Sequence, residues 1–240
     1  MITEAEKIEI LNNAKRWFTD TVASNHITNT LKLEDVKKFK VNPFLSKYLA
    51  NYLTGNADPK SIARALIYPR VLGTSITTSF GTNIQKFTSN VLPAFGSTTS
   101  GIDIEFVDQV DGTKKYCQLK AGPNTINKDD VETIAGHFNN VIHLARTNGI
   151  SLSYGNLIVG VIYGDNSDLS SHYNRILSQY NHPVYAGNNF WTRLTGDERF
   201  YFELIDAIGS IAIESDYSKE LERVIEKLAN SRSFRKYFAF

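Results

Sequence analysis

The chain has 240 residues, with 26 Lys+Arg against 25 Asp+Glu, five His and one Cys, a length that fits one large domain or one domain with appendages. Apolar residues make up 42% and aromatics 12%, which supports a sizeable core and excludes global disorder, while the single Cys excludes a disulfide framework or a Cys-based zinc cluster. No apolar run approaches the roughly 20 residues that cross a bilayer, and the charged, amphipathic N-terminus has no signal-peptide core, so the reading is a soluble protein of a reducing compartment with no membrane contact.

The elements follow in chain order. Ile8, Leu11, Ala14, Trp17, Phe18 and Val22 recur at helical spacing and predict a helix over 3–23, with Thr3 and Glu6 as its capping box. Pro43 opens a second helix that Gly55 closes, and Asp58-Pro59 opens a third that breaks before Pro69. A further helix is predicted from Phe80 to Leu92, ended by Pro93. Residues 1–72 thus read as a helical subdomain, and 73–240 as the remaining core with C-terminal helices. Residues 61–100 carry Arg64, Arg70 and Lys86 and no Asp or Glu, and from Thr74 to Ser100 they are crowded with Ser and Thr. Such a segment suits a phosphate backbone, although a solvated loop with capping hydroxyls has the same composition.

At Gly101 the period changes to two. Apolar and acidic residues alternate from Gly101 to Val107, Asp111-Gly112 signals a turn, and Lys115 to Ala121 follows as a second strand, together a hairpin. Asn127 to Arg146 is an amphipathic helix with Val131, Ile134, Phe138, Val141, Ile142 and Ala145 as its stripe. Residues 156–163 form a continuous apolar run that reads as a buried strand. Residues 165–196 are polar and loop-rich, with a short strand or helix within, and helices over 197–214 and 216–230 close the chain. The order helix, strand, strand, helix, strand defines a mixed α/β fold.

Side chains alternate across a strand, so Asp103 and Glu105 share one face while Ile102, Ile104 and Phe106 share the other. If the apolar faces of the hairpin coincide, Asp103, Glu105, Gln118 and Lys120 gather on one polar patch. Hard oxygen ligands beside a lysine suit Mg²⁺, which can activate a water for attack on phosphorus. The exposed polar face of an ordinary hairpin carries the same alternation. Cys117 alternates with Gln118 and points into the core. The histidines form no HxH or HExxH arrangement, which argues against zinc hydrolysis. His137 and His143 flank the helical stripe and read as packing or surface residues.

Asp103, its short spacer, then Gln118-Leu-Lys120 resembles the PD-(D/E)XK nuclease signature. The longer block from Gln118 to Asp130 (QLKAGPNTINKDD) resembles type II restriction endonucleases, in particular the group cutting GGNCC-type sites. Asn42 to Leu45, Ser79 to Thr82 and Gly187 to Asp197 share the likeness, which touches most of residues 42–210. The resemblance implies a restriction-endonuclease-like core of a central mixed sheet flanked by helices. It implies Mg²⁺-dependent cleavage of double-stranded DNA by a homodimer at a short palindromic site, in the bacterial cytoplasm, beside a protecting methyltransferase. It assigns catalysis to Asp103, Gln118 and Lys120. The metal ligands are then Asp103, Gln118 and the Leu119 backbone carbonyl, with Glu105 available to supply the charge that Gln118 lacks. Two departures stand out: Gly101-Ile102, with no Pro, precedes Asp103, and Gln118 replaces the second carboxylate.

The remaining candidates concern DNA. Gln85 sits where related nucleases place a Glu that reaches the metal. Asn124, Asn127 and Lys128 lead into a helix N-terminus, which attracts phosphate, although plain capping by Asn127 gives the same pattern. Asn174 and Arg175 are the best base-reading candidates of the polar 165–193 stretch. Trp17, Phe18, Phe234, Tyr237, Phe238 and Phe240 are candidates for the dimer contact. A repair or junction-resolving nuclease of the same fold, and a non-catalytic DNA-binding module, are the alternatives.

Overall fold

A computed structural model describes residues 1–214 and 217–240, without the side chains of Gln85, Ala212, Ile213 and Glu214. The helices in chain order are α1 (Glu4–Trp17), α2 (Ser24–Leu31), α3 (Pro43–Thr54), α4 (Pro59–Pro69), α5 (Ile76–Asn83), α6 (Phe87–Val91) and α7 (Lys128–Thr147). They continue with α8 (Ser171–Tyr180), α9 (Gly187–Thr195), α10 (Phe200–Glu214), α11 (Ser218–Asn230) and α12 (Arg232–Phe238). The strands are β1 (Ile104–Val107), β2 (Lys114–Lys120), β3 (Leu157–Val161) and β4 (Val184–Ala186). The chain divides into two compact units, Met1–Lys15 with Ile84–Ile208, and Arg16–Asn83 with Gly209–Phe240.

The first unit holds a mixed sheet of order β1-β2-β3-β4, with β1 antiparallel to β2 and β2, β3 and β4 mutually parallel. Parallel neighbours need long crossovers, and α7 and α8 supply them. One sheet face packs Leu157, Val159 and Val161 against Val131, Ile134, Phe138 and Ile142 of α7 and Tyr173 and Ile176 of α8. The other face receives α9. Phe190 meets Phe106 edge to face at 6.4 Å, and Trp191 donates to the Ile162 carbonyl at 2.9 Å. Gly160 permits this approach, because a Cβ there would stand 2.5 Å from the Phe190 ring and 2.9 Å from Cys117 Sγ. The polar stretch 165–196, expected to be loop-rich, therefore contains α8, β4 and α9. Its inward positions are few but large and fully buried, Tyr173, Ile176, Phe190 and Trp191 among them.

The second unit is helical around Leu33, Ile62, Ile67, Val71, Val224, Leu228, Phe234 and Phe238. The helix expected to break before Pro69 carries that residue in its last turn and continues through a π-helical segment, Arg70–Ser75, into α5. A wider turn accommodates the amide that proline lacks. The helix expected over 80–92 is accordingly split between α5 and α6. Hydroxyls of the Ser/Thr-rich stretch cap helical carbonyls, as Thr77 does to Gly73 at 2.7 Å. The aromatic C-terminus folds onto its own chain. Phe234 and Phe238 are buried, as is Trp17, which removes these three as dimer contacts. Tyr237 and Phe240 stay open to solvent, and Phe18 is half-buried.

Candidate active site

The register of the hairpin sets the site. Ile104 pairs with Cys117 and Glu105 with Tyr116, and the Asp103 N–H donates to the Cys117 carbonyl at 3.0 Å. Asp103 and Gln118 are therefore neighbours on one face, with Lys120 two residues on, while Ile104 and Cys117 are buried on the other. Burial pushes the Cys117 thiol well above its usual range, so this cysteine is no nucleophile.

Asp103 lies at the N-terminal edge of β1. Its Oδ2 accepts the Leu119 N–H at 2.7 Å. The Lys120 carbonyl accepts from Ile162, on the β3 side of the strand. Carbonyls alternate along a strand, so the Leu119 carbonyl points to the β1 side, beside Asp103. Although Asp103 is open to solvent, the surrounding protein desolvates its carboxylate and raises its pKa, against the opposing pull of the Leu119 N–H, Lys120 and His137. No ion pair engages Asp103 or Lys120 among the described residues.

Gln118 is buried, and its amide is committed on one side only. Nε2 donates to the Gly101 carbonyl at 2.6 Å and to His137 Nδ1 at 2.8 Å. The Gly101 oxygen can only accept, which fixes the amide nitrogen at that position and leaves Oε1 as the free end. Glu105 is drawn elsewhere: Ser97 and Thr99 hydroxyls donate to it at 2.6 and 2.9 Å, and Lys114 pairs with it at 2.7 Å. Burial raises its pKa, but these three contacts outweigh it and hold the carboxyl below its usual range.

The oxygens that the register brings to this end of the hairpin are thus the Asp103 carboxylate, the Gln118 amide oxygen and the Leu119 carbonyl. All are hard oxygens and only one carries charge. Among the described residues no group of three or more His, Cys, Asp or Glu could hold a metal. A sparse oxygen set of this kind fits Mg²⁺, which keeps several waters and takes further ligands from a phosphate.

The DNA candidates are dispersed. Asn124 and Lys128 are exposed beside the N-terminus of α7. Asn127 caps that helix, accepting from the Asp129 and Asp130 amides at 2.8 and 3.1 Å, and Asp130 accepts the Asn127 N–H in return. The helix terminus is therefore filled by its own cap and flanked by two carboxylates. Asn174 and Arg175 lie on α8, where Arg175 donates to Gln179 at 3.3 Å. The Gln85 side chain lies outside the described residues. His137, read from its position as packing or surface, instead binds Gln118. The available signal was a histidine bordering the apolar stripe of the helix that crosses over the Gln118 strand.

No curated protein matches the sequence. The family described as Type II restriction endonuclease EcoO109I matches residues 10–216, most of the chain. The mixed sheet flanked by helices agrees with a restriction-endonuclease-like fold. The chain belongs to the type II restriction endonuclease EcoO109I family.

Proposed function

We propose that the protein is a Mg²⁺-dependent endonuclease of the PD-(D/E)XK type that hydrolyses both strands of DNA at a short, two-fold symmetric, GGNCC-like site. One observation carries this reading: Asp103, Gln118 and Lys120 lie on one face of the hairpin and, among the described residues, have no partner that neutralises them. Asp103, Gln118 and the Leu119 carbonyl would hold the metal, whereas Glu105 serves the hairpin. Mg²⁺, when bound, supplies positive charge for a phosphate and acidifies a water. The Lys120 ammonium would orient the attacking water and balance charge gathering on the phosphate oxygens. A cytoplasmic setting beside a protecting methyltransferase follows from the same reading. Incubation with plasmid DNA tests it: discrete fragments in Mg²⁺ and none in EDTA are expected. Smears would favour a repair nuclease, and intact plasmid a binding module.

The helical unit supports the remaining parts of the proposal. A cleft of about 260 Å³ is lined by Lys32, Lys38 and Arg70 with Asn29, Thr74, Ser75 and Thr78, and by no carboxylate. It suits a phosphate backbone, and gives the carboxylate-free stretch a role. On α3, Phe44, Tyr48 and Tyr52 follow one another at helical spacing and are 87%, 65% and 80% exposed, flanked by Leu45, Leu49 and Leu53. One centre can face one scissile phosphate, so cutting both strands in one encounter needs a second copy. We place that copy on α3. Light scattering should give about twice the 27.0 kDa chain mass, and Tyr48→Glu with Tyr52→Glu should return it to the monomer mass.

A further inference from the structure

We infer that Gly101 and His137 form a holder for the Gln118 amide, and that His137 is a positioning residue that lets an amide replace a carboxylate in the metal site. The inference rests on the reading of Asp103, Gln118 and Lys120 as the nuclease centre.

A carboxylate presents an oxygen to a cation whichever way it turns. An amide does not. Rotation about its terminal torsion is soft and roughly two-fold, and it exchanges the oxygen for an NH₂ group that repels a cation. A glutamine ligand therefore needs something to fix its orientation. Here both N–H groups are taken, one by the Gly101 carbonyl at 2.6 Å and one by His137 Nδ1 at 2.8 Å. Flipping the amide would set Oε1 against the Gly101 carbonyl, which can only accept, losing that hydrogen bond in a buried site and forcing His137 to move its proton to Nδ1. The oxygen is thereby held on the side away from Gly101 and His137.

Gly101 makes the arrangement possible. Its φ is +78°, and a Cβ there would stand 2.6 Å from His137 Cγ and 2.9 Å from His137 Cβ. Any side chain would force the carbonyl and the imidazole apart. Glutamine at 118, the departure from the PD-(D/E)XK signature, the glycine two residues ahead of Asp103 and the histidine on α7 are then parts of one device. Partners of metal ligands act in this way, with losses of 10- to 100-fold in affinity when they are removed.

The arrangement also fixes the tautomer of His137. Nδ1 accepts, so the proton of the neutral ring is on Nε2. On the unaltered protein, ¹⁵N NMR of the imidazole at about pH 9, above the ordinary histidine range, should show Nδ1 unprotonated. A proton on Nδ1 overturns the inference without any variant.

The second test uses Mn²⁺ alone as the probe, titrated onto the DNA-free protein and followed by the electron paramagnetic resonance of the free ion. His137→Ala should weaken Mn²⁺ binding roughly 10- to 100-fold, and His137→Asn, whose amide oxygen can accept in place of Nδ1, should recover most of it. In a Gln118→Glu background the His137→Ala loss should shrink to within about twofold, because a carboxylate needs no orienting; this coupling is what a double-mutant cycle isolates. Equal losses in both backgrounds would mean that His137 only supports the fold, and would refute the device. Asp103→Asn separates the two levels. If it binds Mn²⁺ as the wild type does, the nuclease centre itself is misplaced; if it loses Mn²⁺ while His137→Ala does not, the centre stands and the holder fails.

Discussion

The two ends of the β1–β2 hairpin treat an aspartate in opposite ways. At the turn end, Asp108 is fully buried and Arg193 pairs with it at 2.7 Å, while Lys115, itself 4% exposed, stands 3.9 Å away. The Val110 N–H adds a bond at 2.8 Å, and Lys115 spends its remaining capacity on Asp111 at 2.7 Å and the Gly155 carbonyl at 2.9 Å. At the open end, among the described residues, Asp103 receives one backbone N–H and no ion pair, and the amide oxygen of Gln118 and the ammonium of Lys120 are left over. A buried charge is tolerated when it is paired and hydrogen-bonded. The first cluster meets that condition within the protein. The second keeps its carboxylate open to solvent and outside any ion pair among the described residues, and it is the one whose missing charge a metal and a phosphate would bring. Incomplete electrostatics, rather than polarity, distinguish the candidate site from the strut.

The sharpest way to break this comparison is at the open end. Asp103→Asn keeps an acceptor for the Leu119 N–H but removes the charge, and Lys120→Ala removes the ammonium. Each should lower the cleavage rate on the order of 10²–10³ or more, with the melting temperature changed by no more than a few degrees. An Asp103 variant that cuts at the wild-type rate, or that unfolds, would place Asp103 with the structural carboxylates.

The turn end should behave in reverse. Asp108→Ala leaves Arg193 and Lys115 without their shared buried partner, and breaking such a pair costs about 3–5 kcal/mol. A fall of roughly 10 °C in melting temperature is expected. Cleavage measured well below that temperature should stay within a few-fold of wild type. Loss of cleavage with an unchanged melting temperature would show that the two clusters are not separate.

Much of this contrast was legible in the sequence on one side only. The period of two from Gly101 to Val107 and from Lys115 to Ala121 places Asp103, Gln118 and Lys120 on one face and Cys117 on the other, because alternation is a property of the strand itself. The apolar run at 156–163 and the stripe of α7 likewise gave β3 and its crossover. What could not be read were choices of partner that strand periodicity does not set. Glu105 belongs to that face, yet Ser97, Thr99 and Lys114 claim it. His137 reaches Gln118 only because α7 packs across β2. Asp108 and Arg193 meet because α9 docks on the hairpin turn. The α8–β4–α9 stretch was obscured by its polar outer faces, and Pro69 inside a helix by a wide turn that the rule against proline does not foresee.

The smallest effect sharpens the comparison within the turn cluster itself. Asp111 is the exposed member, 38% open, and receives Lys115 Nζ at 2.7 Å and the Thr113 N–H and hydroxyl at 2.9 and 2.7 Å. Its burial raises the pKa, but Lys115 and Thr113 outweigh that and hold it at about 2, against an ordinary 3.8. A folded-state pKa below the unfolded one stabilises the protein above the unfolded value, and the contribution disappears as pH falls through the folded one. The stability that Asp111 adds should therefore be complete by about pH 5, decline between about pH 4 and 2, and be absent below. Solvent screening keeps it under about 1 kcal/mol, well short of the effect at Asp108. Asp111→Asn retains the acceptor for Thr113 and removes the charge and the oxygen that pair with Lys115. Denaturant melts of wild type and variant should differ at pH 7 and converge as pH approaches 2. A gap that widens in acid, or equals the Asp108→Ala loss, would mean that exposure does not grade the members of this cluster.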